Sequence, residues 1–288
     1  MRKQVLLVDG MALLFRGYFA TAFTGNFMRN SQGIPLNGIN QFLRYFLHAT
    51  NTFAPSHVVC CWDMGSTTYR TEMFPKYKAN RDEPPEELRP QFDLVKEVVA
   101  SFDVPNIGIV NYEADDCIGT IAHQFKDQKD YEITILTGDL DMLQLVEDHV
   151  QVAIMRKGIG NYEIFSAENF YELKGIHPHQ IVDLKGMMGD AADNYPGVKG
   201  IGEKTGIKLL QKYDTVENVL DNIAELTPAM QKRFQTDEDM LHLSRQLAKI
   251  NCEVPLEYVL EESLWQFNET KVNAVLADLE MKQVTYYM

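Results

Sequence analysis

The sequence predicts an α/β protein, with a central, mostly parallel twisted sheet flanked by helices and a helical second part. Three observations predict it. The runs VLLV, HVVCC and ITIL are short, continuous and rich in β-branched residues, which suits strands buried on both faces. Each run precedes a stretch with apolar residues at helical spacing, so strand and helix alternate. From about residue 166 the strand signal fades and helical patterns take over.

The elements follow in order. Residues 3–9 read as a buried first strand and 11–20 as the next helix. INQFLRYFLHAT (39–50) carries helical spacing, and 57–62 is the second strand. The polar stretch 65–90, with Pro75, Pro84, Pro85 and Pro90, is long for a connection, and such loops are usually functional or mobile. Residues 91–102 read as a helix. A third strand at 107–111 leads to a helix starting near Glu113, and a fourth at 132–137 leads to another. Short strands are expected at 150–155 and 161–165, then helices at 178–188, 203–213, 215–222, 228–234 and 237–249. The chain therefore divides into an α/β part, 1–175, and a helical part, 176–288. In parallel sheets, sites form beyond the carboxyl ends of the strands.

The 288 residues are 45% hydrophobic, enough for a substantial core and unlike a disordered chain. There is no apolar run of eighteen, so no membrane span is expected, and the N-terminal apolar stretch is read as a strand and not a signal peptide. Cys60, Cys61, Cys117 and Cys252 form no CxxC and read as buried thiols of a cytoplasmic protein. No HxxxH or HExxH spacing is present.

Nine carboxylates in three motifs and two single positions carry the chemistry. They are Asp9 in VDG, Asp63 in CWD, Glu113, Asp115 and Asp116 in EADD, Asp139 and Asp141 in TGDLD, and Asp190 and Asp193 in GDAADN. Any one of them could cap a helix or complement its dipole. Gathered in one place they would repel and could not all stay ionised without cations. They point to a site for two hard divalent metals of the kind that cleaves phosphodiesters. The net charge of −14 argues at first against nucleic acid, but setting these nine aside leaves only a mildly acidic remainder.

Two further motifs suit nucleic acid. In GVKGIGEKTGIKLL (197–210), Gly197, Gly200 and Gly202 free the backbone before a helix, and Lys199, Lys204 and Lys208 add charge. The pattern suits a phosphate held by backbone N–H groups, or else a tightly packed helix–turn–helix. YRTEMFPKYKANR (69–81) interleaves Arg70, Lys76, Lys78 and Arg81 with Tyr69, Phe74 and Tyr77, as single-strand binding wants. A solvated basic loop is the plainer alternative.

LLVDG, FRGYFA (15–20), FPKYKANR (74–81), EADD, TGDLD, GDAADN and PGVKGIGEKT (196–205) run in the order found in the 5′ nuclease (flap endonuclease) family. The chain resembles that family over about residues 4–250, as a stand-alone bacterial homologue of the 5′→3′ exonuclease domain of DNA polymerase I. The resemblance implies a PIN-like 5′ nuclease core, a helical arch within 65–100, and a helix–hairpin–helix-type element at about 190–213. It implies one metal held by Asp9, Asp63, Glu113, Asp115 and Asp116, and a second near Asp139, Asp141, Asp190 and Asp193. The ions would be magnesium, with manganese able to substitute, and potassium would sit at the glycine motif. Lys78 and Arg81 would contact the scissile phosphate, with Asp9 and Asp116 catalytic. Arg70, Lys76, Tyr77 and the glycine-motif residues Gly197, Lys199, Gly200, Gly202, Lys204 and Lys208 would contact DNA. The implied substrates are 5′ flaps, 5′ overhangs and free 5′ ends, RNA-primed ends included, in replication or repair, with the protein a monomer.

Ala191, Ala192, Tyr195, Gly206 and Met11 depart from the common family pattern, but none removes a carboxylate. A non-catalytic DNA scaffold would need no intact acidic set. A PIN-like ribonuclease would lack the glycine–lysine element.

Overall fold

The three apolar runs lie side by side at the centre of the protein. The computed structural model describes residues 2–288 except 24, 26, 126, 127, 129 and 257. In chain order the first part holds β1 (Lys3–Asp9), α1 (Gly10–Ala22), α2 (Asn37–Phe53), β2 (His57–Cys61), α3 (Tyr69–Met73) and α4 (Gln91–Ser101). It continues with β3 (Asn106–Ile107), α5 (Ala114–Phe125), β4 (Tyr131–Thr137), β5 (Val150–Met155) and β6 (Tyr162–Phe165). The helices α6 (Phe170–Lys174), α7 (Ile181–Met188), α8 (Glu203–Tyr213), α9 (Val216–Asp221), α10 (Pro228–Ala248) and α11 (Glu269–Asp278) follow.

The sheet order is β3-β2-β1-β4-β5-β6, parallel throughout except that β6 runs antiparallel to β5. From β1 the chain first builds outward through β2 and β3, then returns to add β4 on the other side. The crevice beyond the carboxyl ends of β1 and β4 is therefore the point where the winding reverses, the usual place for a site in such sheets.

The strands alternate between two cores because successive side chains leave opposite faces. Val5, Leu7, Val59, Cys61, Ile133 and Ile135 face α5 and a core that continues into α7, α8 and α10. Leu6, Val8, Val58, Cys60 and Leu136 face the core built by α1, α2 and α4. Three of the cysteines, Cys60, Cys61 and Cys117, are buried, and no disulfide links any of the four.

Several expectations shift. The third strand is only Asn106–Ile107, not 107–111. It is the sheet edge, and Gly108 passes so close to Trp62 that a Cβ there would lie 2.7 Å from the Trp62 carbonyl oxygen. The chain then turns away toward Glu113. The helix after β4 is a 3-10 turn, Leu140–Leu145, capped by Asp139. The helices expected at 228–234 and 237–249 are one element with a break at Asp237 (φ −111°, ψ 18°). Part of the segment read as an arch is core: Val95, Val98 and Val99 of α4 are fully buried. The final stretch does not stay with the helical part. Trp265 packs on Phe46 and Phe102, and Val272, Leu276 and Val284 enter the same core as α2 and α4.

Candidate metal centre

Strand ends position the acids. Asp9 ends β1 and caps α1: its carboxylate accepts from Ala12 N–H (2.9 Å) and from the Thr137 hydroxyl (2.7 Å) at the end of neighbouring β4. Asp63 follows β2 and accepts from Ala114 N–H (2.7 Å), which fixes the start of α5. Asp139 follows β4 and accepts from Asp141 N–H (2.8 Å). Because β1, β2 and β4 are adjacent and parallel, their ends deliver these acids to one place.

There a cleft of about 480 Å³ is lined by Asp9, Asp63, Glu113, Asp115, Asp139 and Asp190. Lys78, Arg81 and Lys185 share it, and Met11, Ala12 and Phe15 of α1 form an apolar wall. Six acids against three bases leave it acidic. A smaller hollow of about 180 Å³ lined by His123, His179 and Cys252 holds none of the nine acids.

Electrostatics register the crowding. Burial, with the charges of Asp63 and Asp139 added, pushes the Asp9 carboxyl up to about 7 against the bonds from Ala12 and Thr137. Burial and then the charges of Asp139 and Asp9 push Asp115 well above the usual range. Asp63 is raised mainly by burial. Burial and Asp139 push Asp141 to about 7, although Lys185 sits 2.5 Å away. Asp190 goes the other way: burial would raise it, but Lys185 and the N–H groups of Ala192 and Asp193 together hold it below its ordinary value. Burial alone would lower Lys78, but Glu113, Asp193 and Asp115 more than offset this and keep it protonated.

These residues fit hard divalent ions. The donors are all carboxylate oxygens, the cleft is acidic, and burial together with neighbouring like charges raises the proton affinity of Asp9, Asp63, Asp115 and Asp141. Among the described residues, no three acids, histidines or cysteines close on a single point as a finished shell. The acids line the walls, with Lys78 (2.9 Å from Glu113) and Lys185 drawn between them.

A pH dependence follows. Without metal, Asp9 and Asp141 bind protons up to about pH 7 in the folded state but only to about pH 4 when unfolded. Their stabilising contribution is complete below about pH 4 and is lost as the pH rises through about 7. In EDTA the Tm should therefore fall between about pH 5 and pH 8, and millimolar magnesium should restore it at the upper end. A flat or rising Tm in EDTA would count against the uncompensated cluster.

Three expected assignments are corrected. Asp116, expected as a metal ligand and catalytic residue, is fully buried, does not line the cleft, and is bound on both oxygens by Arg70 (2.7 Å each). Arg70, expected on DNA, is 2% exposed for that reason. Tyr77, also expected on DNA, is buried, and its hydroxyl donates to Asp193 (3.0 Å) and Glu113 (3.2 Å). Asp141 and Asp193 stand just behind the cleft, paired with Lys185 and with Arg81 (2.5 Å). Lys76, Lys199, Lys204 and Lys208 are exposed, as phosphate contacts must be.

Lys78 has a left-handed backbone (φ 55°), uncommon for a residue other than glycine. Its N–H donates to the Asp193 carbonyl (2.9 Å), and so the basic segment and GDAADN hold each other. Sequence reasoning missed Lys185, which bridges Asp141 and Asp190. The available signal was one cation in the apolar run IVDLKGMM just before Asp190.

The glycine loop sits between α7 and α8. Gly197 (φ 61°) passes so close to the Gly189 N atom that a Cβ would lie 2.3 Å from it. Asp237, at the break in α10, accepts from Lys199 N–H (2.8 Å), and Arg233 donates to the Gly200 carbonyl (3.0 Å).

Comparison with known proteins gives a consistent result. Residues 4–175 match the family model described as 5′-3′ exonuclease, N-terminal resolvase-like domain, and 176–272 match that described as 5′-3′ exonuclease, C-terminal SAM fold. A 5′-3′ exonuclease of Bacillus subtilis is 50% identical over 282 residues, covering 98% of this chain and 95% of that protein. DNA polymerase I of Lactococcus lactis is 39% identical over 265 residues, covering 91% of this chain but 30% of the polymerase. In fold, the chain is similar to the bacteriophage T5 flap endonuclease in complex with DNA and metal ions: TM-score 0.68, 20% identity, 99% and 96% coverage.

Proposed function

This chain belongs to the 5′-3′ exonuclease family, and from that premise we propose that it hydrolyses DNA at 5′ ends and 5′ flaps in the acid-lined cleft. The observation that carries the reading is six carboxylates converging from three adjacent strand ends, the start of α5 and the turn after α7 upon one cleft that also holds Lys78, Arg81 and Lys185. Asp9, Asp63, Glu113 and Asp115 would hold one divalent ion, and Asp139 and Asp190, with Asp141 behind them, a second. Such ions activate water at neutral pH and stabilise charge on the reacting phosphate.

The chain's own groups do the rest. Lys78 stays protonated among its acids and presents positive charge to the phosphate. Arg81, about half exposed, reaches the same phosphate from the mouth of the cleft. Lys76, Lys199, Lys204 and Lys208 contact backbone phosphates farther out. Recognition then follows the shape of the DNA and not its sequence. Magnesium is the physiological ion, potassium sits at the glycine loop, and the enzyme works as a cytoplasmic monomer on flaps that include RNA-primed ends.

The test is a 5′-flap DNA labelled on the flap, incubated with magnesium or with EDTA, beside an RNA flap of the same shape. Release near the junction of the DNA flap with magnesium alone is the expected result. Tight binding without cleavage under magnesium or manganese would leave only a scaffold, and preference for RNA would point to a ribonuclease.

A further inference from the structure

EADD ends in two adjacent aspartates, and the structure gives them different surroundings. Asp115 lines the cleft, whereas Asp116 points inward to Arg70. Asp116 accepts four close hydrogen bonds: from Arg70 Nη2 (2.7 Å) and Asn251 N–H (2.8 Å) on Oδ1, and from Arg70 Nη1 (2.7 Å) and Glu113 N–H (3.1 Å) on Oδ2. An ionised carboxylate has about four acceptor positions, so none is left for a metal.

Arg70 is equally committed. Its Nε donates to the Leu247 carbonyl (3.0 Å) and its Nη2 to the Lys249 carbonyl (2.8 Å), both at the end of α10. Its Nη1 lies 3.4 Å from Glu113. The same helix α10 holds the glycine loop farther back, through Arg233, Asp237 and Ser244, whose hydroxyl accepts from Gly197 N–H (3.2 Å).

We propose that Arg70 and Asp116 form a buried strut that fastens the end of α10 to the acidic motif and so holds Glu113 and Asp115 where they bind metal. Both are positioning residues. The strut also gives the glycine loop and the cleft one shared support. This proposal rests on the metal-dependent reading of the cleft.

The experiment compares wild type with Arg70→Gln, Asp116→Asn, the double variant, Arg70→Lys and, as a cleft control, Asp63→Asn. Metal binding is read without DNA, from Mn²⁺ binding followed by electron paramagnetic resonance. The magnesium dependence of flap cleavage is read beside it, and folding is checked by thermal melts.

Arg70→Gln and Asp116→Asn should each weaken Mn²⁺ binding by about tenfold, the lower end for outer-shell partners. The number of ions bound should stay the same, the double variant should be no weaker than either single, and Arg70→Lys should recover part of the affinity. A lower ion count in Asp116→Asn would make Asp116 a ligand and overturn the strut, as would additive effects or wild-type affinity in Arg70→Gln. If a single variant fails to fold because it leaves a buried charge unpaired, the double variant decides. Weakened binding with an unchanged ion count supports the strut, and wild-type affinity sinks it. A wild type that shows no magnesium-dependent cleavage would sink the functional reading instead.

Discussion

Asp115→Asn should cut magnesium-dependent flap cleavage by on the order of a thousandfold and, in EDTA, should make the protein more stable. Both effects come from the position of Asp115 in the cleft, where burial and then the charges of Asp139 and Asp9 raise it. As the ligand proposed above, it would help fix an ion whose charge stabilisation is worth several kcal/mol. Losing about 4 kcal/mol of that corresponds to roughly a thousandfold in rate. Without metal the same carboxylate is a liability, because its charge is buried against like charges, and asparagine removes it at nearly constant volume. Single-turnover cleavage and a melt in EDTA at about pH 8 check the two halves. A lost rate with a lower Tm would mean that Asp115 mainly supports the fold. A retained rate would remove it from the metal centre.

The second large effect is expected at Lys78. Lys78→Ala should slow single-turnover cleavage about a hundredfold, the usual cost of removing one charge-stabilising donor. Duplex affinity should change little, because Lys76 and the lysines of the glycine motif lie outside the cleft. Lysine and alanine bear the same left-handed backbone cost of roughly 1 kcal/mol, which glycine does not. Lys78→Gly, which avoids that cost, should therefore lose the same rate but less stability. If duplex affinity drops while the single-turnover rate holds, Lys78 belongs to binding and not to chemistry.

How far the sequence carried depends on which contacts are local. The parallel sheet was legible because VLLV, HVVCC and ITIL are buried on both faces and have no wet side to blur the pattern. The strand-end acids were legible for the same reason, since each follows its strand directly. Asp115 and Asp116 could not be told apart. Neighbours in a first helical turn point about 100° apart, and which of them meets the cleft depends on Arg70, 46 residues away from Asp116. Arg70 and Tyr77 looked like surface because basic and aromatic residues alternate there, yet their partners come from α5, α10 and GDAADN. The edge strand β3 is short where, among the described residues, no further strand pairs with its outer side. The packing of Trp265 and the residues after it joins segments more than 150 positions apart, for which no local pattern exists.

That closing segment bears on how the protein is made. The face of the sheet covered by α2 and α4 is completed late, by residues that include Trp265, Val272, Leu276 and Val284. On the ribosome, Phe46 and Phe102 emerge long before them, and at typical synthesis speeds the wait is on the order of ten seconds. Throughout that time a nascent chain with most of its sheet formed carries an uncovered aromatic surface, the kind that chaperones bind and that sticks to other nascent chains.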